Sequence, residues 1–158
     1  MGVTVSEIMN KPVSGYMSKK LHTVLPTDSL AEVHKIFEEH NIHHVPVVRG
    51  LKLVGIVSKT DYLKAFHSSR LEDPAKAAAA DAEMLGKFKV EDLMTKHVVK
   101  VSDDDKLGVA AEIFLENYIH AVPVVNANEE LVGIVTSYDV LYACFKGAYP
   151  TQEIERAH

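Results

Sequence analysis

The chain writes one apolar phrase twice. Ile42-His43-His44-Val45-Pro46-Val47-Val48 returns as Ile119-His120-Ala121-Val122-Pro123-Val124-Val125. An internal repeat constrains a fold more tightly than composition does, because each copy must build a similar unit. At a shift of 77, Met17–Val48 lies on Met94–Val125 without a gap, and 14 of 32 positions are identical. One residue is then inserted, where Arg49–Lys52 faces Asn126–Glu130. At a shift of 78, Leu53–Leu63 lies on Leu131–Leu141 with seven of 11 identical. Unrelated stretches of ordinary composition agree at roughly one position in 16. The chain therefore holds two copies of one unit, and the insertion falls at a turn, where insertions are tolerated.

Each copy predicts the order β-α-β-β-α. A short extended piece, Leu21–Val24 or Val98–Val101, leads to a helix start. There Thr27-Asp28-Ser29, or Ser102-Asp103-Asp104-Asp105, offers side-chain oxygens to unpaired N–H groups, and Ser29 with Glu32 has the spacing of a capping box. Leu30, Val33, Ile36 and Phe37 recur at helical spacing, as do Leu107, Ala110, Ile113 and Phe114. Two apolar strands follow, Val45–Val48 and Leu53–Val57, matched by Val122–Val125 and Leu131–Val135; Pro46 and Pro123 are expected near their starts. A last helix, Ser58–Phe66 or Thr136–Phe145, closes each copy. The fold class is α/β (α+β), with a first repeat over 3–66, a partly helical linker over 67–87, a second repeat over 88–146 and a polar tail over 147–158. In the linker, Asp73 can cap, Pro74 suits a first turn, the alanines favour helix and Gly86 is a plausible stop. A further echo sets Val5-Ser6-Glu7-Ile8-Met9 on Val90-Glu91-Asp92-Leu93-Met94 at a shift of 85, which implies about eight extra residues between Met9 and Leu21.

Composition removes several functions. A formal charge of −5 does not suit a general affinity for nucleic acid, and no apolar run is long enough to span a bilayer. Cys144 is the only cysteine and lies in an apolar run, so disulfides within the chain and cysteine-rich metal cages are excluded and a buried packing role is expected. The His40, His43 and His44 group is not read as a metal site, because alternation along a strand points His43 and His44 to opposite faces. The N-terminus lacks the pattern of a signal peptide, and the chain reads as cytoplasmic.

Two further motifs are distinctive: Gly55-Ile56-Val57-Ser58-Lys59-Thr60-Asp61 and Gly133-Ile134-Val135-Thr136-Ser137-Tyr138-Asp139, both of the form Gly-h-h-Ser/Thr-x-x-Asp. With the repeated Val-Pro-Val-Val phrase and the element order, the chain resembles a tandem CBS domain pair, named after cystathionine β-synthase, over about residues 3–145. The resemblance implies two repeats packed as a pseudo-twofold module, with clefts between them that bind adenosine-type ligands such as AMP, ADP, ATP or S-adenosylmethionine.

It also implies site residues. Ser58 and Thr136 stand where a strand enters a helix, and a hydroxyl and helix start suit phosphate. Asp61 and Asp139, one turn on, suit a ribose diol. Read from spacing alone, the same residues are N-caps and first-turn carboxylates. His43, His44 and His120 match places where relatives reach phosphate with basic residues, whereas Ala121 departs from that pattern. Thr60 and Tyr138 replace a frequent cation, so Lys59 is the remaining candidate in the first site. Thr23, Val24 and Val45, and Lys100, Val101 and Val122, are candidate walls for the base, or plain core.

Three functions follow. The first is a non-catalytic regulatory module that binds an adenine nucleotide, alone or with Mg²⁺, and signals to an effector protein while forming a homodimer. It requires no other cofactor. The second is a ligand-free assembly module whose apolar surface comes from Phe37, Phe114, Tyr62, Leu63, Leu141 and Tyr142. The third, an enzyme, finds no support: there is no Gly-x-Gly-x-x-Gly, no Gly-x-x-x-x-Gly-Lys loop, and no histidine placed as a base beside Ser58 and Asp61. No nucleic acid or membrane partner is expected.

Overall fold

The structure, a computed structural model, describes residues 2–66 and 74–148. Asp73 and most of the polar tail lie outside the described residues. Backbone contacts divide the chain into two compact units. One is continuous in sequence, His22–Val98. The other is split: Met1–Leu21 joins Val99–Ala157. The N-terminal part of the first repeat, up to Leu21, thus packs with the second repeat's strands.

In the continuous unit, α2 (Leu30–Glu39) is followed by β1 (His44–Arg49), β2 (Lys52–Ser58) and α3 (Lys59–Phe66). The helix buries Leu30, Val33 and Phe37, a single stripe at helical spacing. β1 and β2 pair antiparallel with a bulge at Val47/Val48. Val24 bridges Val47 in parallel on one side, and Thr95 bridges Ile56 on the other. This arrangement explains how Pro46 is tolerated inside a strand. Its register partner Ile56 exchanges both backbone bonds with Thr95, at 3.1 and 2.9 Å, and so faces away from Pro46. Pro46 itself is asked only to accept, from Val24 N–H at 3.2 Å. The strands begin at His44 and Ala121, two residues ahead of the prolines. The linker helix α4 (Pro74–Lys87) runs past Gly86, and α5 (Val90–Leu93) follows it.

The split unit repeats the plan: β3 (Val101–Ser102), α6 (Leu107–Asn117), β4 (Ala121–Val125), β5 (Leu131–Thr136) and α7 (Ser137–Ala148), with sheet order β3-β4-β5 and Ser18 bridging Ile134. The bulge recurs, at Val124/Val125. Its hairpin turn differs. Gly50 turns the first hairpin at φ 63°, whereas Glu129 holds φ 61° in the second, with Asn126 Oδ1 accepting from Asn128 and Glu130 N–H. The core is built of Val101, Leu107, Val122, Val124 and Val135, and in the continuous unit of Val24, Val33, Val45, Val47 and Val57.

Several sequence expectations are corrected. There is no eight-residue insertion. Val13 N–H donates to Asp105 O, Ser14 to Asp103 O, and Leu107 to Lys11 O; in the other unit Val90 donates to Asp28 O, Glu91 to Pro26 O, and Leu30 to Phe88 O. Each pair of bonds is related by 77, so the 3-10 turn Val13–Gly15 is the counterpart of α5. Helix α1 (Val5–Met9), whose letters echo α5, falls at that shift on Ala82–Gly86 at the end of α4. Second, Ser29 makes no side-chain cap and no capping box with Glu32. Asp28 and Asp105 instead accept from Leu25 and Ser102 N–H, tightening the turn ahead of each helix. Third, Phe37 and Tyr62 are buried in the core and offer no assembly surface, while Cys144 is only half-buried.

Candidate functional site

The glycine that opens each distinctive motif has a packing reason. A Cβ on Gly133 would stand 2.4 Å from Met17 Sδ, and one on Gly55 would stand 2.6 Å from Met94 Sδ. Each strand therefore accepts a methionine across its face, and the residue after it, Ser18 or Thr95, pairs with the next strand position. The strand then runs into a helix. There Thr136 forms a closed latch with Asp139: Thr136 N–H and Oγ1 both donate to Asp139 Oδ2, each at 2.8 Å, and Asp139 N–H donates to Thr136 Oγ1 at 3.2 Å. Ser58 Oγ donates to Asp61 Oδ2 at 2.8 Å, and Asp61 N–H returns to Ser58 Oγ at 3.0 Å. Both motifs thus cap their helices, the reading that spacing alone gives.

The predicted residues fall into two sets, each within one unit. In the continuous unit His44 lies opposite Ser58 in the ladder, and His43 O accepts from Lys59 N–H at 2.8 Å, so His43, His44, Ser58, Lys59 and Asp61 gather at the open end of the hairpin. The Lys59 ammonium sits 5.9 Å from the Phe37 ring centroid, a cation–π contact. Asp61 also meets Lys64 at 3.8 Å. Thr23 is exposed, while Val24 and Val45 belong to the core. Beside them, burial, then the Glu38 and Asp81 carboxylates, push the Tyr62 phenol up to about 12, and its oxygen lies 2.7 Å from His34 Nδ1.

In the split unit Ala121 lies opposite Thr136, and His120 O accepts from Ser137 N–H at 3.0 Å. Val101 and Val122 belong to the core. Lys100 is not gathered with Thr136 and Asp139; its ammonium pairs with Glu129 in the hairpin turn. Among the described residues Asp139 is the one buried charged residue, at 5% exposure. It forms part of the wall of a pocket of about 480 Å³, within the size range of small-molecule sites. Asp139, Tyr142, Ala143 and Lys146 line it from one face of α7, at spacings of three, four and seven. Ile8, Lys11, Tyr16 and Met17 line it from the N-terminal segment. Sequence reasoning missed Lys11, Tyr16, Tyr142 and Lys146. The helical spacing from Asp139 was a signal for Tyr142 and Lys146; nothing in the sequence marked Lys11. Among the described residues, no group of three or more His, Cys, Asp or Glu side chains is arranged to hold a metal ion, and no helix is long and apolar enough to cross a membrane.

Comparison with known proteins adds the following. The family model described as CBS domain matches residues 5–68 and 90–146. An inosine-5′-monophosphate dehydrogenase of Korarchaeum cryptofilum is 33% identical over 132 residues, which are 84% of this chain and 24% of that protein. The chain spans between about a quarter and under a half of the length of the first curated relatives it matches. Among solved structures, CBSX2 in complex with AMP is similar with a TM-score of 0.72 at 29% identity, covering 86% of this chain and 97% of that one. The CBS domain pair of protein MJ0100, in complex with 5′-methylthioadenosine and S-adenosyl-L-methionine, is similar with a TM-score of 0.64 at 32% identity, covering 84% and 98%.

Proposed function

The chain belongs to the CBS domain family, and from that membership and its latched carboxylates we propose that it is a non-catalytic regulatory module binding an adenosine-type ligand and relaying its presence to an effector protein in the cytoplasm. The observation that carries this reading is Asp139, buried at a helix start and lining a pocket of about 480 Å³. A buried carboxylate beside a largely apolar pocket suits a ribose diol next to a flat base. Two similar structures support the ligand class, since one contains AMP and the other 5′-methylthioadenosine and S-adenosylmethionine. Mg²⁺, where it takes part, arrives with the ligand's phosphates. To relay a signal, the ligand must favour one arrangement of the chain over another, because equal affinity for both shifts nothing.

Isothermal titration of the chain with AMP, ADP, ATP, S-adenosylmethionine and 5′-methylthioadenosine tests the proposal. Binding by at least one is expected, and silence from all of them at millimolar concentration ends it. A ligand present at about 100 times its dissociation constant adds about 2.7 kcal/mol of stability, which a thermal shift reads directly.

A second reading, assembly of two copies, has its own observation. Tyr138, Leu141 and Phe145 occupy one side of α7 and are 53%, 69% and 39% exposed. Sedimentation of the ligand-free chain as a dimer supports it, and a monomer at every concentration excludes it.

A further inference from the structure

The two copies present different outer faces on their first long helix. On α2 the exposed residues include Glu32, Lys35 and Glu38; the equivalent places on α6 hold Val109, Glu112 and Leu115. Leu115 is 80% exposed, and Tyr118, which stands where the first copy has Asn41, is 90% exposed. Tyr118 also caps α6 in the left-handed region, at φ 53° and ψ 28°, a place that helices commonly give to Gly or Asn. α2 ends on His40 at φ −129° and needs no such residue. Neither the cap nor the core accounts for an aromatic ring at Tyr118.

Charge separates the copies in the same way. Residues 107–145 carry five carboxylates and no Lys or Arg, whereas residues 30–67 carry four carboxylates and five Lys or Arg. Of the five, Glu129 pairs with Lys100 and Asp139 is buried. Glu112 and Glu116 are exposed, one turn apart, on the same side of α6 as Val109 and Leu115. Among the described residues neither is in a salt bridge. Like charges at this spacing oppose the helix, and a cation beside them removes that cost. A second copy set on this face by a twofold axis would bring carboxylates against carboxylates. A cationic partner meets no such repulsion.

We infer that the outer face of α6, with its cap, docks a basic amphipathic helix of a partner protein, whose apolar side covers Leu115 and Tyr118 and whose Lys or Arg residues meet Glu112 and Glu116. The inference rests on the proposed relay to an effector protein, and it adds where that protein is met and what its surface is made of. The contact itself needs no nucleotide.

The test uses two labelled synthetic peptides of about 18 residues, one of Leu and Lys at helical spacing and one with Glu in place of Lys, followed by fluorescence anisotropy on the full chain. Binding of the Lys peptide and not of the Glu peptide is expected. Leu115→Glu/Tyr118→Asn, which installs the first copy's own residues, is expected to weaken the Lys peptide about tenfold or more. This variant is more negative than the wild type, so a peptide held by charge alone would bind it at least as well. Glu112→Gln/Glu116→Gln is expected to weaken the peptide about threefold or more and to reduce its salt dependence. No binding of the Lys peptide, equal binding of both peptides, or equal affinity in the Leu115→Glu/Tyr118→Asn variant overturns the inference. So does sedimentation of the wild type as a dimer that the same variant dissociates, because a second copy then covers the face. The peptides are titrated without nucleotide, so their failure leaves the ligand reading standing, and a chain that binds the Lys peptide but no adenosine compound fails only that reading.

Discussion

The two units share a backbone and differ in how deeply they hold the same carboxylate. Asp139 is 5% exposed as a residue, and two donors of Thr136 converge on one of its oxygens. The Asp61 side chain is 45% exposed and meets Lys64 at the surface. One latch lies in the wall of a pocket; the other is partly wetted and screened. Duplication therefore preserved the hydrogen-bond frame while the surroundings diverged, and electrostatic strength follows the surroundings.

Breaking each latch sharpens that contrast most. Asp139→Ala is expected to lower stability by about 2–3 kcal/mol, since buried donors lose a charged acceptor. Asp61→Ala is expected to lose only about 1 kcal/mol, the usual worth of an exposed cap. Urea denaturation of both variants reads the gap, and equal losses erase the distinction.

The glycines test where the units are alike. Gly55→Ala and Gly133→Ala each force a Cβ against a methionine thioether and are expected to cost about 1–3 kcal/mol, and similar amounts, by overpacking. The penalty of Gly133→Ala is expected to shrink when Met17 is also alanine, as the double-mutant cycle reports.

The hairpin turns give smaller effects of opposite sign. Glu129→Gly relieves a left-handed residue and is expected to gain about 0.5–1 kcal/mol despite losing a surface ion pair. Gly50→Ala is expected to lose about 1 kcal/mol. Thermal denaturation of the two variants checks the signs.

The last effect is one of pH and is confined to strongly alkaline solution. Tyr62 has Val140 as its counterpart. Its phenol ionises at about 12 in the folded chain against an ordinary 10.0. The folded state thus keeps the proton longer, so this contribution is complete below the ordinary value and is lost as pH rises through the folded one. Tyr62→Phe is expected to flatten the fall in melting temperature over that interval. An unchanged slope would show that other groups set it.

Much of this was legible in the residues. The repeat, the element order and the hydroxyl–carboxylate spacing came from letters, because each depends on local chemistry. The counterpart of α5 did not. Val5–Met9 imitates its letters better than Val13–Met17 does, yet the backbone bonds of Asp103, Asp105 and Leu107 choose the latter. Nor does counting repeats show which strands a flanking segment joins, since Met17 and Met94 carry the same apolar signal. Lys11 stayed hidden because only tertiary packing brings it beside α7.

The division of the chain at Leu21 also sets an order of completion on the ribosome. The unit spanning His22–Val98 has all of its strands once that stretch has emerged, and it can close while synthesis continues. The first twenty-one residues must wait, with Ile8, Val13 and Met17 wetted, until α6, β4 and β5 exist to receive them. The segment up to Leu21 is thus made before the continuous unit and finds its place after it.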